Sequence, residues 1–94
     1  MRIRWTPRAL SDATAILTRI AREDPGAADR PEAQLLQVVE ATLAGQPNLG
    51  RPGRVAQTRE FVVHPSYILV YRVRGDSLEL LAFRHSARRW PEQF

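Results

Sequence analysis

The sequence predicts an α+β fold in the order β-α-α-β-β-β, with a helical hairpin packed on one face of a mainly antiparallel sheet. Three observations carry that expectation. The first half holds two stretches whose apolar residues recur at three-to-four spacing. The second half holds three strand-type runs separated by turn residues. A short alternating segment precedes them all.

In that first segment Ile3 and Trp5 face one way and Arg2 and Arg4 the other, as in a strand. Thr6-Pro7 then opens a helix, because a threonine hydroxyl can cap the first N–H groups and proline suits the first helical position. Leu10, Ala13, Ile16/Leu17 and Ile20 form the expected apolar stripe, and the helix should end near Glu23-Asp24-Pro25-Gly26. Pro31 belongs in the early part of a second helix that begins no earlier than about Ala27. Its buried face reads Leu35, Leu36, Val39 and Leu43, and it stops at Gly45, a residue suited to a left-handed cap, with Pro47 just beyond.

Residues 48–54 read as a loop. Strands follow over Thr58 to Val63, Tyr67 to Val73 and Leu78 to Arg84, with turns at His64-Pro65-Ser66 and Gly75-Asp76, the latter of hairpin type. Leu17, Ile20, Leu36 and Val39 should meet Leu69, Tyr71 and Leu80 in the helix–sheet core.

Residues 1–94 give room for a single domain. No cysteine is present, which excludes disulfides and zinc–thiolate sites. No apolar run approaches the roughly 20 residues needed to cross a bilayer, and no apolar stretch follows the charged N-terminus as in a signal peptide. The expectation is therefore a soluble, cytoplasmic protein. The net charge is +4 and all fourteen basic residues are arginines. Arginine forks match phosphates and carboxylates, so the balance suggests an acidic partner, either nucleic acid or protein. Lysine-based nucleophilic or acid–base chemistry is excluded outright.

No HExxH pair, phosphate-binding glycine loop, nucleophile elbow or paired-cysteine site occurs, so neither a metal nor a cofactor is expected. His64 reads as a turn residue, and Glu60 as the partner of an arginine across the sheet. The C-terminal third says more. Arg59, Arg72, Arg84, Arg88 and Arg89 lie on or just after strands, with His85 and Trp90 nearby. Arginines beside a histidine could neutralise and cleave an RNA backbone, and Trp90 could stack on a base. Solvated strand faces, with Trp90 covering the end of the sheet, explain the same residues.

Six local strings in order then resemble the RelE/ParE toxin family, nearer the ParE branch. They are Trp5-Thr6-Pro7-Arg8-Ala9, Asp24-Pro25-Gly26-Ala27-Ala28, Leu49-Gly50-Arg51-Pro52-Gly53-Arg54, Thr58-Arg59-Glu60-Phe61-Val62-Val63, Tyr67-Ile68-Leu69-Val70-Tyr71-Arg72-Val73 and His85-Ser86-Ala87-Arg88-Arg89-Trp90-Pro91. The resemblance implies a toxin neutralised by a cognate antitoxin. ParE-like members act on DNA gyrase, and RelE-like members cut messenger RNA on the ribosome. Ile68 stands where some of those nucleases place an arginine, and no tyrosine follows Tyr71 to serve late in the chain. The resemblance thus favours a gyrase inhibitor, with Arg88, Arg89 and Trp90 as target-binding residues. An mRNA interferase using Arg59, Arg84 and His85 is the alternative. A degenerate toxin that only binds antitoxin is a third.

Overall fold

Residues Arg2–Trp5 (β1) pair in parallel with the last described strand, Ser77–His85 (β5), and this parallel ladder sets the architecture of the computed structural model. The structure describes residues 1–23, 35–64 and 67–85. Between these strands come Pro7–Glu23 (α1), Leu35–Gly45 (α2), Arg51–Pro52 (β2), Arg59–His64 (β3) and Tyr67–Arg74 (β4). The sheet order is β1-β5-β4-β3-β2, and every pairing after the first is antiparallel. The expected α+β class, with helices on one face of a mainly antiparallel sheet, is the fold observed. No described helix is long and apolar enough to cross a membrane.

Thr6 makes the junction after β1 as its residue type foretold. Its hydroxyl accepts from the Ala9 N–H at 3.1 Å, capping α1, and donates to the Leu80 carbonyl at 2.7 Å. A single side chain therefore starts the helix and ties it to β5. Two further links seat the helices. Asp12 Oδ2 accepts from the Phe83 N–H at 3.1 Å, satisfying a β5 edge group beyond the reach of β1. The Trp5 indole donates to Glu40 Oε2 at 2.9 Å, fixing α2 against β1.

The core joins Ala9 and Ala13 of α1 and Val39 and Leu43 of α2 to Leu69, Tyr71, Leu78, Leu80 and Phe83 of the sheet. Of the expected core, Val39, Leu69, Tyr71 and Leu80 are buried, while the side chains of Ile20 and Leu36 lie outside the described residues. Leu17 is a correction. It is 37% exposed and Leu10 is 53% exposed, because α1 turns the Ala9, Ala13 and Ile16 row toward the sheet. The two alanines occupy the contact row, and their small side chains suit a close approach of helix to strand.

Gly45 is a second correction. It has no positive φ, so α2 does not end in a left-handed cap. The Gln46 N–H still bonds to the Thr42 carbonyl at 3.0 Å, and Pro47, which has no N–H to offer, stops the helix. Residues 48–54 are not wholly loop either, since Arg51 and Pro52 add a two-residue edge strand opposite Glu60 and Arg59. At the β4–β5 turn Gly75 has φ 61° while Asp76 does not have positive φ, the pattern of a type II′ hairpin turn.

Candidate functional site

A bulge decides where the last strand aims its candidate residues. Tyr71 pairs with Leu80, but Val70 pairs with Ala82, so Leu81 is an extra residue on β5. The insertion reverses the alternation beyond it. Phe83 and His85 therefore share the helix-facing side with Leu78 and Leu80, and Arg84 takes the opposite face. Nothing in the local composition announces this shift, which turns two neighbours to alternate faces although both line one cleft.

His85 stands opposite Tyr67 across the β4–β5 ladder, and the two rings meet edge to face with centroids 5.5 Å apart. Together they border an open cleft of about 240 Å³, lined also by Asp12, Ile16, Arg19, Phe83 and Arg84. The Asp12 carboxylate there is occupied by the Phe83 N–H.

Arg59 lies farther along the sheet, opposite Tyr71 in the middle of β4. Its guanidinium donates to the Gly50 carbonyl at 2.7 Å, which makes it a clamp on the loop before β2. Tyr67 and Tyr71 are four residues apart, about 13 Å along a strand, and β3 and β5 flank β4 at about 10 Å from each other. The α-carbons of Arg59 and His85 are thus separated by about 16 Å on this geometry. Arg84 and His85 border one cleft, and Arg59 lies apart from both. Arg88, Arg89 and Trp90 lie outside the described residues.

Around Arg59 is a buried polar assembly that sequence reading reached only in part. Tyr71, with no exposed surface, donates from its hydroxyl to the Pro47 carbonyl at 2.8 Å and accepts from the Gly50 N–H at 2.8 Å. Glu60 pairs with an arginine across the sheet as expected. Its buried carboxylate accepts from Arg51 Nη2 at 3.1 Å and from the Arg54 backbone N–H at 2.7 Å. Reading Tyr71 as a core ring missed its hydroxyl. The proline and glycine beyond α2 were the available signal, since a buried loop needs a side chain to satisfy its backbone.

Burial pushes the Tyr71 phenol above its ordinary value, against the opposing pull of the Gly50 N–H and the Arg59 charge. The neutral phenol is thus preferred in the folded protein. Its contribution to stability is complete below the unfolded value of about 10 and is lost as pH rises through the higher folded value. The urea midpoint should therefore fall as pH climbs past about 10. Tyr71→Phe should flatten that fall and lower the midpoint at neutral pH, where two backbone groups lose their partner at about 1–3 kcal/mol each. Parallel alkaline profiles for the two proteins would contradict this assignment.

Residues 3–90 match the family described as ParE toxin of type II toxin–antitoxin system, parDE. The protein Y4kP of Sinorhizobium fredii is 44% identical over 92 residues, covering 97% of this chain and 94% of that protein. Toxin RelE2 of Caulobacter vibrioides is 39% identical over 84 residues, covering 89% and 93%. A solved chain of the chromosomal ParDE system of P. aeruginosa superposes with a TM-score of 0.71 at 22% identity, covering 90% of this chain and 95% of that one. That last likeness concerns the fold.

Proposed function

We propose that this chain, which belongs to the ParE toxin family of type II toxin–antitoxin systems, arrests growth in the cytoplasm by binding DNA gyrase and inhibiting it. As a toxin of such a system its partner is a cognate antitoxin. The observation that supports the gyrase reading is the distance of Arg59 from the cleft that Arg84 and His85 border. A nuclease needs its proton-transfer group within hydrogen-bond reach of the scissile phosphate, with cations on the same phosphate. Here Arg59 clamps a loop about 16 Å from His85, so only Arg84 and His85 share a cleft. A protein target needs no such convergence, because a few arginine and aromatic anchors suffice. Arg88, Arg89 and Trp90 supply that set in the sequence.

Controlled expression in cells tests this reading. Induction of the toxin should bring filamentation and the DNA-damage response before protein synthesis falls, and co-expression of the antitoxin should prevent both. An immediate halt in translation with no DNA-damage response would instead favour ribosome-dependent mRNA cleavage.

A further inference from the structure

The sheet face opposite the helices carries a patch that the gyrase reading does not use. We propose that Arg2, Arg4, Arg72 and Arg74 form a binding site for the phosphate backbone of duplex DNA. Register puts the four on one face in two rows. Arg4, Glu79 and Arg72 stand side by side across β1, β5 and β4, and Arg2, Ser77 and Arg74 form the row next to it. Strand geometry makes this a lattice about 10 Å across the strands and about 7 Å along them.

Glu79 organises the lattice rather than cancelling it. Its carboxylate accepts from Arg72 Nε at 2.8 Å, and Arg74 Nε lies 3.8 Å away. The Arg72 hydrogen bond holds that carboxyl below the ordinary range, helped by the charges of Arg72, Arg74 and Arg4, so it stays ionised at neutral pH. Four guanidiniums against this one carboxylate leave three positive charges, or two once Asp76 of the adjacent turn is counted. Arg2, Arg4 and Arg74 are exposed.

The surroundings select the occupant. An acidic protein segment would need apolar anchors, and a single strand would need rings on which its bases stack. Among the described residues the exposed large apolar side chains are Met1, Leu10, Leu17, Leu49, Val62 and Val73, and none is aromatic. Met1 and Val73 follow the alternation of Ile3 and Tyr71, which face the helices. Val62 shares the arginine face but lies on β3, beyond the patch. What remains is a flat set of charged forks, which suits regularly placed phosphates and reads no sequence.

Fluorescence anisotropy with the full chain and a labelled mixed-sequence DNA duplex tests the site. Between roughly 50 and 200 mM salt, log Kobs should fall against log salt with a slope of about −3 to −4. Arg2→Gln/Arg74→Gln, and separately Arg4→Gln/Arg74→Gln, should make that slope shallower by about 2. Arg8→Gln/Arg22→Gln removes the same charge from α1 and should leave the slope unchanged. Four results would overturn the site: no duplex binding by the wild type, equal losses from the sheet and helix pairs, tighter binding of a single strand, or competition by polyglutamate as strong as by unlabelled duplex. The site does not rest on gyrase as the target, since salt-dependent binding would persist in a toxin without effect on supercoiling.

Discussion

Gly50→Ala is expected to destabilise the protein by about 3–5 kcal/mol, combining the overpacking of a filled site with the loss of buried hydrogen bonds. A Cβ on Gly50 would lie 2.6 Å from Tyr71 Oη, 2.7 Å from Tyr71 Cε1 and 2.9 Å from the Glu60 carbonyl oxygen. The ring has no free space to retreat into, and the carbonyl belongs to a strand. Displacing either also weakens the Gly50–Tyr71–Pro47 hydrogen bonds that hold the loop beyond α2. A domain of this size has only about 5–15 kcal/mol in total, so much of the folded population is at risk at 37 °C. Gly45→Ala is the matched control. Nothing lies within 4 Å of its added methyl and its φ is not positive, so the higher helix propensity of alanine should stabilise by up to about 1 kcal/mol. Urea denaturation of the three proteins measures both values, and similar midpoints for wild type and Gly50→Ala would refute the packing described for Tyr71.

The second large effect concerns toxicity. Trp90→Ala, or Arg88→Ala with Arg89→Ala, should abolish growth arrest while leaving the circular dichroism spectrum unchanged. Loss of an anchor at a protein interface commonly costs 2 kcal/mol or more, which is roughly a thirtyfold loss of affinity. His85→Ala should be mild by comparison, since the side chain meets Tyr67 on the helix side of the sheet. A ribonuclease would show the opposite ranking, because removing a general acid or base costs about 10²–10⁴ in rate. Growth curves under tight induction, with antitoxin supplied or withheld, separate the two rankings.

Much of this molecule was legible in its sequence, for identifiable reasons. Thr6-Pro7 announced both a cap and a helix start, and the hydroxyl of Thr6 does cap α1. Gly75-Asp76 announced a hairpin turn, and Glu60 an arginine partner. The errors arose where tertiary structure selects among equal local patterns. Leu10 and Leu17 fit a helical stripe as well as Ala9 and Ala13 do, and only the close approach of α1 to β5 favours the alanines. The candidate site was less legible still. Alternation along β5 cannot reveal that Leu81 is bulged, so the opposite facing of Arg84 and His85 was hidden. Nor does the sequence announce that Arg59 faces the carbonyl of Gly50 rather than a ligand. The arginine lattice depends on a parallel ladder between the first and last described strands, which local pattern does not encode.

Supercoiling of relaxed plasmid by purified gyrase, with wild-type toxin and His85→Ala at equal concentration, separates a gyrase inhibitor from a ribonuclease. Both proteins should block supercoiling to a similar extent, and added antitoxin should restore it. Full supercoiling in the presence of the wild-type toxin, together with cleavage of ribosome-bound mRNA that disappears in His85→Ala, would make the toxin an mRNA interferase instead.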